Sequence, residues 1–188
     1  MTGATLSTAS SSNELLKEIR ARTVDLHRAL DEKVADRSVL SEEGYVRFLT
    51  MHARIIPAAE TWLAGRREFL EIPDAKDRLR NGSLQSDFCA LGIPMPAVEN
   101  MSFLNEKTSV AGICYVLEGS RLGGAYLASL IGQGGARHPV NFLCQGRERP
   151  LWRTFLDWLS SLEQSRANID GAADAAENMF RTYLSVLD

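Results

Sequence analysis

Apolar residues in this chain recur at intervals of three and four and almost nowhere alternate with polar ones, a period that suits helices and leaves little room for a sheet. Leu15, Ile19, Leu26, Leu30 and Val34 mark one face of a first helix. Ser11 and Glu14 have capping-box spacing, which predicts a start near Ser12. Ser41 ahead of Glu42 and Glu43 predicts the next start. That second helix carries Tyr45, Phe48, Leu49, His52, Ile55 and Ile56, and Pro57 predicts a kink before Trp62. A third helix is expected over 74–91, with Leu79, Leu84, Phe88 and Leu91 apolar, followed by a connector at 92–100 containing Pro94 and Pro96. A fourth is expected over 108–131, then a long glycine-containing loop over 132–150. Two more follow at 151–166 and 171–187, the last capped by Asp170. The expected fold is all-α: one bundle of about six helices.

The first twelve residues are rich in Ser, Thr, Ala and Gly and lack both the basic region and the apolar core of a signal peptide. They are expected to form a disordered leader, with 13–188 as a single domain. No run approaches the roughly 18 apolar residues of a membrane span. With 21 basic and 24 acidic residues the formal charge is −3, which argues against a nucleic-acid binder. Cys89, Cys114 and Cys144 form no CxxC pair, so neither a zinc site nor a disulfide framework is indicated. Each is expected to be a small buried or half-buried apolar residue, as suits a reducing cytoplasm.

The segment from Val110 to Ile131 reads as helical at both ends, yet Gly119, Gly123 and Gly124 fall within six residues. Each glycine inside a helix costs about 1 kcal/mol relative to alanine, roughly 3 kcal/mol for the three. Two accounts could offset that cost. Gly119 and Gly123 share a face and could let another helix approach closely. Alternatively, the bare backbone could bend and lie against a large flat ligand. No strand precedes these glycines, so a dinucleotide-binding fingerprint is excluded. The run Gly132, Gly134, Gly135 lacks the spacing and the lysine of a phosphate loop.

Of the three histidines, His27 stands beside the apolar stripe of the first helix, with Asp31 one turn on and Arg20 two turns back on the same face. A core or boundary role is the ordinary reading of such a histidine. A carboxylate one turn away could instead fix the tautomer of an imidazole whose other nitrogen binds a metal. Arg20 could pair with an acidic group of the same ligand. His52 reads as structural and His138, before Pro139, as a surface residue. No two histidines share a helical spacing, so a histidine cluster is not available, but a single axial ligand to a porphyrin needs only one.

Two motifs resemble the heme oxygenase family: Arg20-Ala-Arg-Thr23-Val-Asp-Leu26-His27-Arg-Ala-Leu30-Asp31, similar to its proximal helix, and Tyr115-Val-Leu-Glu118-Gly119-Ser120-Arg121-Leu122-Gly123-Gly124, similar to its distal helix. The likeness runs from about Glu14 to the C-terminus and is nearer the bacterial branch associated with phytochromes and iron acquisition than the mammalian one. It implies that heme, both cofactor and substrate, lies between the two helices. His27 would be the proximal iron ligand and Asp31 its acidic neighbour. Gly119, Gly123 and Gly124 would let the distal backbone meet the porphyrin, while Arg20 and, more weakly, Arg181 would contact propionates. Ser120 stands where the mammalian branch has an aspartate, so backbone groups and waters would deliver protons, with Arg121 as an alternative organiser of those waters. The implied reaction converts heme to biliverdin, carbon monoxide and ferrous iron, using O2 and electrons from a ferredoxin or flavoprotein reductase. A bacteriophytochrome is a possible biliverdin acceptor. Two rival readings stand beside it: a non-catalytic heme or bilin carrier on the same scaffold, and a helical interaction protein whose glycines serve packing alone.

Overall fold

The computed structural model describes residues 13–34, 40–134 and 137–187. The expected leader at 1–12, the Ser11 cap and Gly135 therefore lie outside the described residues. Among those described, the secondary structure is helical throughout, without a strand. The elements are α1 (Glu14–Val34), α2 (Glu42–Ala64), α3 (Arg67–Leu70), α4 (Asn81–Leu91), α5 (Val110–Gln133), α6 (Asn141–Cys144), α7 (Leu151–Ser161) and α8 (Arg166–Ser185), with one 3₁₀ turn over Ala75–Arg78. No helix among the described residues is long and apolar enough to cross a membrane.

The helix starts follow side-chain capping. Asn13 Oδ1 accepts from Leu16 N at 2.9 Å and opens α1. Ser41 caps α2 as expected, accepting from Gly44 N. α8 begins earlier than the sequence suggested because Ser165 accepts from Asn168 N; Asp170 sits inside the helix, paired with Arg166. α2 continues as one helix past Pro57.

Two expected elements are corrected. The helix anticipated over 74–91 divides at Leu79–Arg80. Asp74 adopts a left-handed conformation with φ 61°, and Leu79 is extended. The N–H groups of Arg80 and Asn81 donate to Glu60 Oε1 at 2.7 Å and Oε2 at 2.9 Å, so a carboxylate from α2 satisfies the first donors of α4. The loop anticipated over 132–150 contains α6. Asp87 of α4 accepts from Asn141 N, Asn141 Nδ2 and Phe142 N at 2.8–3.0 Å, which fixes that single turn from outside.

The last helix organises the core. α1 lies along α8, and α5 packs on α8 as well. Leu15 and Ile19 of α1 are buried, and Thr23 is buried with its hydroxyl donating to Ile19 O. Arg22 ties the two helices at their edge through Asp174 at 2.6 Å and Glu177 at 2.7 Å. Those two carboxylates raise the Arg22 pKa. On the α5 side, α8 presents Ala172, Ala175 and Ala176, all buried. Gly112 sits directly on this small-residue seam. A Cβ at position 112 would meet Ala172 O at 2.1 Å, Ala175 Cβ at 2.8 Å and Ala176 N at 2.9 Å. The obstruction is mainly backbone, which cannot swing aside as a side-chain end can.

Substituting Gly112→Ala should therefore lower unfolding free energy by about 1–3 kcal/mol, the usual overpacking range. Thermal and denaturant unfolding of the protein without added ligand would measure this, and an unchanged midpoint would contradict the close approach of α5 to α8.

Candidate functional site

Two helices supported by α8 each present an unusual exposed face. On α1 that face carries Arg20, Val24, His27 and Asp31, at spacings that return every one or two turns. The core stripe through Leu15, Ile19 and Thr23 points elsewhere, which leaves this face open to solvent. His27 is 57% exposed at its side chain, and its Nδ1 lies 2.8 Å from Asp31 Oδ2. With Nδ1–H donated to the carboxylate, the neutral ring keeps its Nε2 lone pair available to a ligand. Phe180 of α8 supports the ring from behind, its centroid 5.5 Å away. Val24, an apolar side chain, is 53% exposed on the same face. Arg20 is exposed and forms no ion pair among the described residues. Arg181 follows Phe180 and is held only loosely, by Glu177 at 3.6 Å.

On α5 the corresponding face carries Gly119, Leu122, Gly123 and Tyr126. A Cβ built on Gly119 or on Gly123 would meet nothing within 4 Å. Leu122 and Tyr126 are 53% and 66% exposed. The packing account of these two glycines thus fails within the chain, because no neighbouring helix approaches them among the described residues. Gly112 performs that role instead. Gly124 separates from the pair: it is buried, and its Cβ would touch Leu143 Cδ2 of α6 at 3.4 Å. The sequence grouped three glycines, and the structure divides them into two on an open face and one against α6.

Behind this face lies a buried polar cluster. Arg78 reaches Glu118 Oε2 at 2.9 Å, and Arg121 reaches the same oxygen at 3.0 Å, with both carboxylate and guanidinia largely out of solvent. Arg121 also donates to Gln145 O, Gln145 Oε1, Arg78 O and Glu118 Oε1. Its five N–H groups are all committed. The expectation that Arg121 organises waters on the ligand side is therefore corrected: it is a structural tie between α5, α6 and the 3₁₀ turn. Ser120 also faces inward. Its hydroxyl donates to Leu117 O at 2.7 Å and accepts from Arg80 Nη2 at 2.6 Å.

The other histidines take structural positions. His52 is buried, with Nδ1 3.2 Å from Tyr183 Oη and aromatic contacts to Phe48 and Phe142. Burial, then the charge of Arg80, pushes its pKa well below the ordinary range, so it stays neutral. His138, expected at the surface, stacks on Tyr45 with centroids 4.6 Å apart. Cys114 is buried and Cys144 half-buried, as anticipated, but Cys89 is exposed. No group of metal-binding side chains occurs among the described residues.

Sequence reading missed Glu60, Arg78, Arg80 and Asp87. Glu60, Asp87 and Glu118 each stand as a lone charge within an apolar helical run, and that mismatch was the available signal for a buried polar network.

Comparison with known proteins points in one direction. No protein-family model matches the chain. A heme oxygenase from Xanthomonas campestris pv. campestris (strain 8004) is 28% identical over 151 residues, which cover 79% of this chain and 91% of that protein. The heme oxygenase of Neisseria meningitidis, solved in NO- and CO-bound forms, superposes with a TM-score of 0.77 at 23% identity. That match covers 92% of this chain and 89% of the other. The chain has the heme oxygenase fold.

Since a methyl group at position 119 or 123 would meet nothing within 4 Å, alanine at either position should stabilise the ligand-free protein by about 0.5–1 kcal/mol through helix propensity alone. A chemical-denaturation series on G119A and G123A would show this, and a loss of stability in both would mean that the face is occupied by the protein itself.

Proposed function

We propose that this chain, which shares the fold of the bacterial heme oxygenases and resembles them in sequence, is itself a heme oxygenase. It cleaves heme to biliverdin, carbon monoxide and ferrous iron with O2 and externally supplied electrons. The observation that carries this reading is an available imidazole on α1 together with two positions on α5, Gly119 and Gly123, where backbone without a Cβ lies open. The residues present fit a heme. Nε2 of His27 is a suitable axial donor, Val24, Leu122 and Tyr126 offer apolar contact, and Arg20 and Arg181 are cations available to propionates. A ligand seated there would cover exposed apolar surface that is otherwise unexplained.

Bound heme is both substrate and oxygen-activating group and supplies the redox chemistry, so the protein needs no nucleophile or strong acid of its own. The tasks of the chain are physical. Asp31 accepts the Nδ1 proton of His27, which fixes the tautomer that leaves Nε2 free to bind. Gly119 and Gly123 bring main chain, with no Cβ, against the ligand and exclude bulkier groups from that side. Leu122 and Tyr126 keep bulk water from the apolar plane. Arg20 and Arg181 would pair with the propionates and so orient the ligand between the two helices. Ser120 retains its proton on Leu117 O, so protons reach the site through water and backbone groups rather than through this hydroxyl. A cytoplasmic setting suits three free cysteines, a ferredoxin or flavoprotein reductase would supply electrons, and a bacteriophytochrome could accept the product.

Hemin titration should give one intensified, histidine-type Soret band, and reductant with O2 should then convert it to a biliverdin pigment identified by chromatography. His27→Ala should abolish that spectrum and most turnover. Asp31→Asn should weaken hemin affinity by about tenfold or more, as for other groups that orient a metal ligand. Hemin binding without pigment would make the protein a carrier instead. Absence of any Soret change would remove the reading altogether.

A further inference from the structure

The bare face of α5 is built on a helix that gives up propensity at Gly119 and Gly123, so something else must hold its path. The observations converge on Arg80. It is a buried arginine in the two-residue break between the 3₁₀ turn and α4. Its Nη2 donates to Leu117 O at 3.0 Å and to Ser120 Oγ at 2.6 Å. These two acceptors flank Gly119. Ser120 Oγ in turn donates to Leu117 O at 2.7 Å. Leu117 O therefore takes two side-chain donors beyond the N–H that a regular helix would aim at it from residue 121. Side-chain donors that grip one helical carbonyl tie the local course of the helix to the element that supplies them.

The guanidinium is not free to drift. Its backbone N–H is fixed on Glu60 Oε1, and its plane lies over Phe142, 4.6 Å from the ring centroid. Burial and the nearby charge of Arg121 lower its pKa to about 10, which leaves it cationic at neutral pH. Glu60 anchors the backbone of this segment, and Asp87 anchors Phe142 through its N–H. The clamp thus has both ends tied to the α2–α4 side of the molecule while its tip grips α5 at Leu117 O and Ser120 Oγ, beside the bare glycines.

We propose that Arg80 is the positioning residue of the glycine helix: by holding Leu117 O and Ser120 Oγ, it fixes the local course of the backbone that presents Gly119 and Gly123 to the ligand. This deepens the heme oxygenase reading and rests on it for the identity of the ligand. It does not rest on it for the mechanical claim. Arg80 touches neither His27 nor the open face.

The test uses the full chain, first without ligand and then loaded with hemin. Amide hydrogen exchange resolved along the chain reads the local stability of α5, and capture of released hemin by excess apomyoglobin reads the dissociation rate. Arg80→Met should accelerate exchange at residues 119–124 by about tenfold or more, as expected for loss of hydrogen bonds from a charged donor, and leave α1 and α8 little changed. Arg80→Lys keeps the charge but has no two-acceptor fork, so it should fall between wild type and Arg80→Met. Ser120→Ala removes one of the two contacts and covers the case in which Arg80→Met does not fold. All three should release hemin faster in the same order as their exchange. Uniform acceleration over every helix, or unchanged exchange at 119–124 in both Arg80→Lys and Ser120→Ala, would overturn the proposal. Failure of the wild-type chain to bind hemin would defeat the heme reading, while the ligand-free exchange would still decide the role of Arg80.

Discussion

The contact on which the rest of the structure depends is the seam between α5 and α8. Gly112 and the alanines at 172, 175 and 176 bring two backbones so close that a single methyl group would collide with a carbonyl. Close approach of this kind gains dispersion contacts along the seam and fixes the relative position of the two helices with little freedom. The same helix carries α1 on another side, locked at the edge by Arg22. One rigid element therefore supports both the histidine helix and the glycine helix. Their separation is set by packing, and neither has to touch the other to be placed.

A second layer of organisation is polar and lies under α5. Charged groups taken out of water are costly unless every partner is supplied, and a fully satisfied cluster then favours one arrangement over near alternatives. Glu118 is met by Arg78 and Arg121, and Arg121 spends all of its donors within the protein. Burial raises the pKa of Glu60, and the N–H groups of Arg80 and Asn81 act against that rise. The apolar seam thus fixes where α5 lies, while the ionic cluster fixes how it is rotated and curved. With side chains of the back face so engaged, the front face can remain bare at Gly119 and Gly123 without losing its shape.

How far the sequence foretold this differs by kind of interaction. Periodicity located α1, α2, α5 and α7 because each buries a continuous stripe, and that stripe is written locally. The break at Leu79–Arg80 was not legible, since it exists only because Glu60, twenty residues earlier, captures the N–H groups there. α6 was hidden for the same reason: Asp87 supplies its cap from another helix. His27 and Asp31 could be paired from their one-turn spacing, and the two side chains lie 2.8 Å apart. The glycines could be recognised as costly but not sorted. Gly112, Gly123 and Gly124 look alike in a sequence, yet they face a helix, open space and a leucine. Arg121 was misjudged because a helical wheel gives direction but not what waits at the end of a long side chain.

The central claim is that a flat tetrapyrrole lies between the His27 imidazole and the main chain at Gly119 and Gly123. A crystal structure of the hemin complex tests this most directly. The account predicts iron bonded to His27 Nε2, Asp31 still on Nδ1, and porphyrin atoms in van der Waals contact with the backbone at both glycines. Iron held by another residue, or a glycine face covered by the protein's own side chains with heme seated elsewhere, would contradict it.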